Sequence, residues 1–399
     1  MKVLFDHQIF ELQDYGGISR YFTEVFKSFN ESNSLTWNIS ILYSNNFYLK
    51  NLNNPELAIK PNIVQTDPYF DFLPGLNFKG KKLLYLTYIK FWPPKLLDGN
   101  LANKNSTIEL LKKGDFDVFH PTYYDDYFLE YLGDKPFILT VHDLTEEIFP
   151  ELSIQDKRHK GESIIKKASR IIAVSENTKR DLVNIYGVDP EKIEVIHLAS
   201  SLTENNKEIS ASVRELADKR YLLYVGKKTA YKNFYFFLRM FASLNEKDLH
   251  VICTGSPFSN EDLLYLKKLG ITDRVQTTFV NDGELSYLYQ HAVAFVFPSL
   301  YEGFGIPILE AFQNSCPVLA SNGSSLKEIG QDSALYFEPK DPESMLTALK
   351  SIVNNHILRE ELKVKGLRRA TDFSWKKTAQ KTLEVYKMVL DKSKALSNN

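Results

Sequence analysis

The chain has 399 residues, of which 43% are hydrophobic and 25% charged, and this predicts a globular protein of two domains. Its 49 Lys and Arg nearly balance its 50 Asp and Glu, which disfavours a general nucleic-acid binder because such proteins are usually basic. Two cysteines and no run near the ~20 apolar residues of a membrane span exclude disulfide scaffolds and membrane-spanning proteins, and predict a cytoplasmic location.

Short apolar segments alternate with amphipathic ones along most of the chain. The predicted strands of the first half are residues 2–5, 39–43, 118–120, 137–141, 170–174 and 194–197. Those of the second half are 221–225, 250–254, 275–279, 294–297, 317–320 and 335–337. The predicted helices include 19–29, 176–186, 234–244, 261–269, 342–353 and 374–390. This alternation predicts parallel sheets with right-handed crossovers, an α/β fold.

The alternation breaks once, at residues 201–218, which are polar and poor in large apolar side chains. We predict a linker there, between domains at 1–200 and 219–373. Open parallel sheets bind ligands at the carboxyl ends of their strands, so the polar and glycine-rich motifs at strand ends are the candidate site.

The strongest motif is residues 297–310, Phe-Pro-Ser-Leu-Tyr-Glu-Gly-Phe-Gly-Ile-Pro-Ile-Leu-Glu. A predicted strand ends here, a glycine-bearing loop follows, and Pro307 fits the first turn of a helix. Gly305 allows close approach of a ligand to the backbone, and free N–H groups at a helix start favour negative charge. Glu310 near that start is suited to accept hydrogen bonds from a ribose diol.

This motif resembles that of glycosyltransferase family 4, a family of retaining transferases that use nucleotide sugars. The resemblance implies the GT-B architecture, two facing Rossmann-like domains with a deep cleft between them. It implies that Glu310 binds the ribose, that Glu302 contacts the donor sugar, and that the backbone of Phe304, Gly305 and Ile306 faces that sugar. It also implies that the N-terminal domain binds the acceptor and that a helix at about 374–393 returns to it.

A second motif follows the strand 221–225 and reads Gly-Lys-Lys-Thr-Ala-Tyr-Lys at 226–232. Fixed cations stabilise the charge that develops on a departing diphosphate without any proton transfer. The motif resembles the family's diphosphate site, Gly-Arg-x-x-x-x-Lys, which assigns this role to Lys227 and Lys232. Lys227 stands where arginine is usual and lacks its two-pronged donor geometry, and Lys228 is a candidate to share the role.

Two motifs in the first half complete the predicted site. Gly16 and Gly17 precede a predicted helix without forming a dinucleotide fingerprint, and Arg20 lies one turn further. The family has a similar glycine loop that closes over the donor, so we assign both glycines to the donor and Arg20 to an anionic group of the acceptor or phosphate. His142 ends a predicted strand, and the resemblance places it beside the transferred sugar. His120 also ends a strand and is a second candidate for the acceptor or phosphate.

Weaker signals concern the nucleobase, metals and membranes. The resemblance assigns Val280, in a loop after a strand, to the nucleobase pocket. No cluster of His, Cys and Asp has the spacing of metal ligands, so we expect no metal and no cofactor besides the nucleotide-sugar substrate. Residues 79–113 interleave eight lysines with aromatic side chains and predict a peripheral contact with anionic lipid at the inner face of the cytoplasmic membrane.

The resulting prediction is a retaining transfer of a hexose, with mannose from GDP-mannose as the first candidate, to a glycan or lipid-linked glycan. The style of the motifs resembles mannosyl- and rhamnosyltransferases of bacterial surface polysaccharides. Two alternatives stay open: a GT-B nucleotide-sugar epimerase, and a catalytically silent sugar-binding subunit of a polysaccharide assembly complex.

Overall fold

The structure is a computed structural model that describes residues 1–399 except 53–58, 62–72, 74, 75, 77, 79, 92–98, 153–160, 203–207, 398 and 399. The chain forms two compact units. Unit 1 comprises residues 1–139, 163–169 and 386–399, and unit 2 comprises 140–162 and 170–385. These units differ from the domains 1–200 and 219–373, which stay a prediction.

Unit 1 contains a three-stranded parallel sheet in the order β2-β1-β3. Its strands are β1 (Lys2–Phe5), β2 (Thr36–Ile39) and β3 (Val118–His120). Its helices are α1 (Gln8–Leu12), α2 (Gly17–Ser32), α3 (Phe47–Lys50), α4 (Lys81–Phe91) and α5 (Gly99–Lys113). Strands β1 and β3 are largely buried, as expected for a parallel sheet covered on both faces, whereas β2 at the edge of the sheet is buried only at Ile39.

Strand β2 lies earlier than the sequence predicts. The apolar run at 39–43 predicts a strand there, but the ladder with β1 ends where Phe5 is opposite Ile39. Beyond that point the backbone N–H groups of Leu42 and Tyr43 donate to the Asn103 side chain at 2.7 and 3.0 Å. A distant amide therefore replaces the ladder partner, which no local pattern encodes.

The next three strands form a second small sheet in the order β4-β5-β6. They are β4 (Ile138–Val141), β5 (Arg170–Ala173) and β6 (Ile193–Val195). The helices along this part of the chain are α6 (Thr145–Ile148), α7 (Glu162–Lys167) and α8 (Glu176–Tyr186). Ser175 caps α8 by accepting a hydrogen bond from the backbone of Thr178, the usual role of a serine directly before a helix.

Unit 2 contains a six-stranded sheet in the order β12-β11-β10-β7-β8-β9, and every neighbouring pair is parallel. Its strands are β7 (Arg220–Val225), β8 (Leu249–Thr254), β9 (Val275–Thr278), β10 (Ala294–Phe297), β11 (Val318–Ser321) and β12 (Leu335–Phe337). Its helices are α9 (Ala211–Ala217), α10 (Phe234–Ala242), α11 (Asn260–Leu269), α12 (Asp282–His291), α13 (Ile306–Gln313), α14 (Leu326–Gly330), α15 (Pro342–Asn354) and α16 (His356–Ala370). The last helix, α17 (Trp375–Ser397), begins in unit 2 and belongs to unit 1 from residue 386 onwards.

The core of this sheet consists of apolar side chains from the strands and from helices α10 and α15, among them Phe237, Phe241, Leu349 and Ile352. Strand–helix alternation from β7 to α15 confirms the predicted α/β class. Among the described residues, no helix combines the length and the apolar character that a bilayer crossing requires.

Candidate active site

Two loops of unit 2 leave the six-stranded sheet at the same edge. Strands β7 and β10 pair in parallel, with Leu223 opposite Phe295, so their carboxyl ends lie side by side. The backbone N–H of Leu300 donates to the carbonyl of Tyr231 at 2.7 Å and ties the two loops together. The two strongest motifs of the sequence, 226–232 and 297–310, therefore meet.

Where the two loops contact each other, Lys232 and Glu302 form an ion pair. The Lys232 ammonium lies 2.6 Å from Oε1 of Glu302, and the side chains are only 17% and 13% exposed. The hydroxyl of Ser299 donates to the same carboxylate oxygen at 2.6 Å. The ammonium also lies 5.1 Å from the ring centroid of Tyr231 and 5.7 Å from that of Phe297. The predicted catalytic residues Lys232 and Glu302 thus occur together.

The electrostatics of the pair keep the lysine charged. Burial alone would lower the pKa of Lys232, but the carboxylate of Glu302 and the neighbouring Tyr231 outweigh it and raise that pKa above its ordinary value. The ammonium is a fixed positive charge at the edge of the sheet. Such a charge stabilises an anion that forms next to it.

Serines from the segment after β11 fix the loop that carries Glu302, residues 298–305 (the glutamate loop). The backbone N–H of Glu302 donates to the Ser324 hydroxyl at 2.9 Å. The Ser325 hydroxyl lies 2.8 Å from the carbonyl of Glu302 and 2.9 Å from that of Phe304, to which it donates. These positioning residues are not among the residues predicted from the sequence, and the adjacent serines after a strand are the signal that points to them.

Gly303 brings the glutamate loop against the end of β4. A Cβ atom at this glycine would lie 1.7 Å from the carbonyl oxygen of His142 and 2.8 Å from Cβ of Asp143. On another side, the hydroxyl of Ser175 donates to the Gly303 carbonyl at 2.6 Å. Only glycine fits here, and the predicted residue His142 therefore lies beside the loop that carries Glu302.

Tyr301 fixes the same loop through other contacts, and it too is not among the residues predicted from the sequence. Its hydroxyl donates to Oδ2 of Asp181 at 2.8 Å and accepts from the backbone N–H of Leu144 at 3.4 Å. The tyrosine is buried. The loop is thus held by α8 and by the segment after β4, and its side chains are preorganised.

His142 is uncharged in the folded protein. Burial lowers its pKa to about 3, because the charged imidazolium loses its hydration. At neutral pH its ring is a hydrogen-bonding group and not a cation.

This pKa predicts that His142 makes the protein less stable in acid. The unfolded chain binds a proton at His142 below about pH 6.5 and the folded chain does not, so stability is lost as pH falls from about 6.5 towards 3. The expected slope is about 1.4 kcal/mol per pH unit. Thermal unfolding between pH 7 and 4.5 should show a steeper fall in midpoint for the wild type than for His142→Gln. Equal slopes would contradict the burial of an uncharged ring.

Glu310 lies in helix α13 and is buried. The helix begins after Gly305, whose φ of 107° lies in the left-handed region, and it carries a proline in its first turn, as the motif predicts. The hydroxyl of Tyr289 donates to Oε2 of Glu310 at 3.3 Å. The carboxylate is held by a partner that the sequence does not reveal.

The other two cations of the loop 226–232 are Lys227 and Lys228, and each has its own contacts. Lys227 is exposed, while its carbonyl accepts from the Tyr224 hydroxyl at 2.8 Å. The ammonium of Lys228 donates to the carbonyl of Ser256 at 2.6 Å and lies 5.1 Å from the ring centroid of Phe258. Of the three lysines, only Lys232 is bonded to the glutamate loop in the described part of the chain.

The remaining donor-site predictions of unit 2 involve backbone groups. Phe304 is buried with its ring 6.0 Å from that of Phe373, so only its backbone is suited to face a ligand. Ile306 is the first residue of α13 and is half-buried. Val280 is half-buried in the loop before α12, whose first turn has a capping box formed by Asn281 and Glu284.

The predicted residues of unit 1 lie around helix α2. Gly16 is its N-cap, and a Cβ there would lie 2.2 Å from Oε1 of Gln13, which caps the helix through Ser19. A Cβ at Gly17 would contact nothing within 4 Å. The Arg20 guanidinium lies 5.6 Å from the ring centroid of Tyr48.

His120 lies in the packed interior of unit 1. It is buried, and its Nδ1 lies 2.7 Å from the hydroxyl of Tyr386, with the ring of Phe22 at 5.5 Å. Its assignment to the acceptor or phosphate stays a prediction, and the function proposed below does not use it.

Two further predictions concern metals and membranes. Among the described residues, no group of three or more His, Cys, Asp and Glu side chains is placed to hold a metal ion. The cationic aromatic segment 79–113 lies partly outside the described residues, which omit 79 and 92–98.

Two family models match adjacent parts of the chain. The model of glycosyl transferases group 1 matches residues 205–369, and that of glycosyltransferase family 4 matches residues 71–204. The first contains both loops of the candidate site, and the second contains His142.

Known proteins and solved structures that are similar to this chain agree with the two family models. O-antigen chain mannosyltransferase B of Escherichia coli is 28% identical over 267 residues, which are 63% of this chain and 70% of that protein. O-antigen chain mannosyltransferase RfbU of Salmonella typhimurium is 30% identical over 220 residues, which are 54% of this chain and 60% of that protein. Among solved structures, Anabaena HepE in complex with UDP and glucose has a TM-score of 0.68 at 13% identity, covering 96% of this chain and 98% of that chain. Because the two family models together match residues 71–369, the chain belongs to the glycosyltransferases that these models describe, and it has the GT-B fold.

Proposed function

We propose that this glycosyltransferase transfers a hexose, with retention of configuration, from a nucleotide diphosphate sugar to a hydroxyl of a glycan or lipid-linked glycan. The first candidate for the donor is GDP-mannose. The two similar proteins named as O-antigen mannosyltransferases support mannose and a polysaccharide acceptor. The HepE complex with UDP and glucose supports a nucleotide and a sugar as ligands of this fold.

The observation that carries this proposal is the partly buried ion pair of Lys232 and Glu302. An ammonium has three donors, and the carboxylate of Glu302 takes one of them at 2.6 Å. We assign Lys232 to the departing diphosphate, whose negative charge grows as the sugar leaves. The lysines supply this positive charge, so the proposed reaction includes no metal ion.

The neighbouring groups act on the sugar and the nucleoside. The carboxylate of Glu302, already oriented by Ser299 and Lys232, is suited to accept hydrogen bonds from hydroxyls of the donor sugar. His142 is uncharged and orients the sugar without placing a second cation at the reacting carbon. Glu310, one helix turn into α13, holds the ribose hydroxyls.

We place this reaction at the cytoplasmic face of the membrane, where a lipid-linked acceptor is accessible to a peripheral protein. The lysines and aromatic residues of segment 79–113 support this placement, because cationic aromatic surfaces bind anionic headgroups.

Nucleotide binding tests the donor assignment. Thermal unfolding with GDP, UDP, dTDP or ADP should show a raised midpoint for one nucleotide, since a ligand at 100 times its Kd adds about 2.7 kcal/mol. GDP is the expected nucleotide. A shift with UDP or dTDP alone would replace GDP-mannose as the donor, and no shift with any nucleotide would favour the catalytically silent subunit. Free sugar or an epimer formed without an acceptor would favour the epimerase.

A further inference from the structure

The glutamate loop is held from two separate parts of unit 2, at the start of α8 and directly before α14. At the start of α8, the hydroxyls of Ser175 and Thr178 lie 2.6 and 3.3 Å from the carbonyl oxygen of Gly303. Directly before α14, the hydroxyls of two serines are bonded to backbone groups of the same loop. Glu302 therefore keeps its position only if the start of α8 and the start of α14 stay at a fixed separation.

The side chain of Glu328, in α14, joins these two supports directly. Its Oε1 accepts a hydrogen bond from the backbone N–H of Glu176 at 2.9 Å, and its Oε2 accepts one from that of Asn177 at 3.2 Å. Both N–H groups belong to the first turn of α8, where the backbone has no acceptor within the helix and negative charge is favoured. One carboxylate thus connects two helices whose bonded residues are 152 positions apart in the chain.

His197, which lies shortly after β6, orients this carboxylate. Its Nε2 lies 2.8 Å from Oε1 of Glu328. The centroid of its ring lies 5.8 Å from that of Phe304 and 5.7 Å from that of Phe373. The histidine therefore contacts both the carboxylate and the aromatic side chain of the glutamate loop.

The backbone of α14 around Glu328 is fixed as well. The guanidinium of Arg369, in α16, donates to the carbonyl of Glu328 at 3.2 Å and to that of Ile329 at 2.9 Å. The same guanidinium lies 4.6 Å from the ring centroid of Phe373. The position of the carboxylate is therefore determined by its backbone as well as by the partners of its two oxygens.

Glu328 is ionised in the folded protein at neutral pH. Burial alone would raise the pKa of Glu328, but the hydrogen bonds from His197 and from the two N–H groups of α8 outweigh it and lower that pKa below its ordinary value. The side chain is only 20% exposed. Hydrogen bonds to a charged acceptor are stronger than those to a neutral one, so the connection between α14 and α8 is a firm one.

We propose that Glu328 is a positioning residue for sugar transfer, which fixes the distance between the two supports of the glutamate loop. It acts through Ser175 and Thr178, which hold Gly303 next to Glu302. This inference rests on the proposed function, because Glu302 is assigned there to the donor sugar. A shift of about 1 Å in a group that orients a substrate lowers turnover as much as a hundredfold, even when its cause is remote.

Kinetics and nucleotide binding of the full chain test this role. Glu328→Ala should lower kcat about tenfold and change the Kd of the nucleotide less than about twofold, a split that general unfolding would not produce. Glu328→Gln keeps an amide oxygen that accepts from one N–H group of α8, and its kcat should stay within about threefold of the wild type. Glu361→Ala is the matched control, because this glutamate is exposed and lies in the same unit, and it should retain the wild-type kcat.

A double variant tests the route through α8. If Glu328 acts through the start of this helix, Ser175→Ala with Glu328→Ala should lower kcat no more than about twofold below the slower single variant. Two losses that multiply would show independent effects and would overturn the proposal. Wild-type kcat in Glu328→Ala, or equal losses in Glu328→Ala and Glu328→Gln, would overturn it as well.

Hydrogen exchange followed by mass spectrometry reports on the loop without any transfer reaction. Peptides that cover residues 298–305 should exchange at least about fivefold faster in Glu328→Ala than in the wild type, and about twofold faster in Glu328→Gln if the alanine variant does not fold. Glu361→Ala should exchange as the wild type does. Wild-type exchange in both variants of Glu328 would contradict the proposal. If the wild type binds no nucleotide and transfers no sugar, the proposed function fails by itself, and the exchange still decides whether Glu328 holds the loop.

Discussion

Replacement of Lys232 by methionine is expected to lower the rate of sugar transfer by a factor of about 10²–10³. The ammonium is a partly buried positive charge bonded to the glutamate loop, at 2.6 Å from Glu302. In a partly desolvated site its attraction for a departing diphosphate is much stronger than in water. Methionine keeps a similar chain length and removes the charge. Turnover with the donor identified by the nucleotide shift measures the effect.

The same variant also leaves the Glu302 carboxylate without its cation. Since that side chain is only 13% exposed, we expect a cost of about 1–3 kcal/mol in the free energy of unfolding. The double variant Lys232→Met with Glu302→Gln removes both charges and should recover most of this stability. It should not recover transfer, and this result would separate catalysis from folding.

Lys247→Met is the matched control, because this lysine is exposed and lies in the same unit. It should retain wild-type transfer and stability. Transfer by Lys232→Met within about threefold of the wild type, a difference below 1 kcal/mol in activation free energy, would rule out the leaving-group assignment.

The sequence reveals those parts of the fold and site that are encoded locally. Strand β10, the glycine loop and the proline at the start of α13 follow one another within a short segment, and the structure confirms all three. The ion pair joins Lys232 to Glu302 across 70 positions of the chain. Its residues were predicted separately, since parallel strands bring their carboxyl ends to one edge, but the bond itself was not.

The supports of the site depend on long-range contacts that no local pattern records. Ser175 reads as a helix cap, which it is, but its hydroxyl also donates to Gly303, 128 positions away. Tyr301 reads as part of the glycine motif, while its partner Asp181 lies 120 positions earlier. His120 is similar, because its ring is bonded to Tyr386, 266 positions later. Each of these assignments needs the tertiary structure.

Gly303→Ala is expected to lower the thermal midpoint by about 6–12 °C and to reduce transfer strongly. The new methyl group would lie 1.7 Å from the carbonyl oxygen of His142, and backbone atoms cannot move aside as a flexible side chain does. Overpacking of this kind costs about 3 kcal/mol, and a unit of this size loses about 2–4 °C per kcal/mol. Relief of the overlap must move the loop that carries Glu302 away from its position beside Lys232. Calorimetry and donor turnover measure the two effects.

Gly17→Ala provides the comparison for stability, because a Cβ there meets nothing within 4 Å. Its midpoint should stay within about 2 °C of the wild type, since alanine fits the first turn of α2 at least as well as glycine. If Gly303→Ala were equally stable and fully active, the close approach between the glutamate loop and the end of β4 would not exist in solution. If the variant were stable but inactive, the loop would have moved without unfolding. That result would show that transfer requires Glu302 at its position beside Lys232.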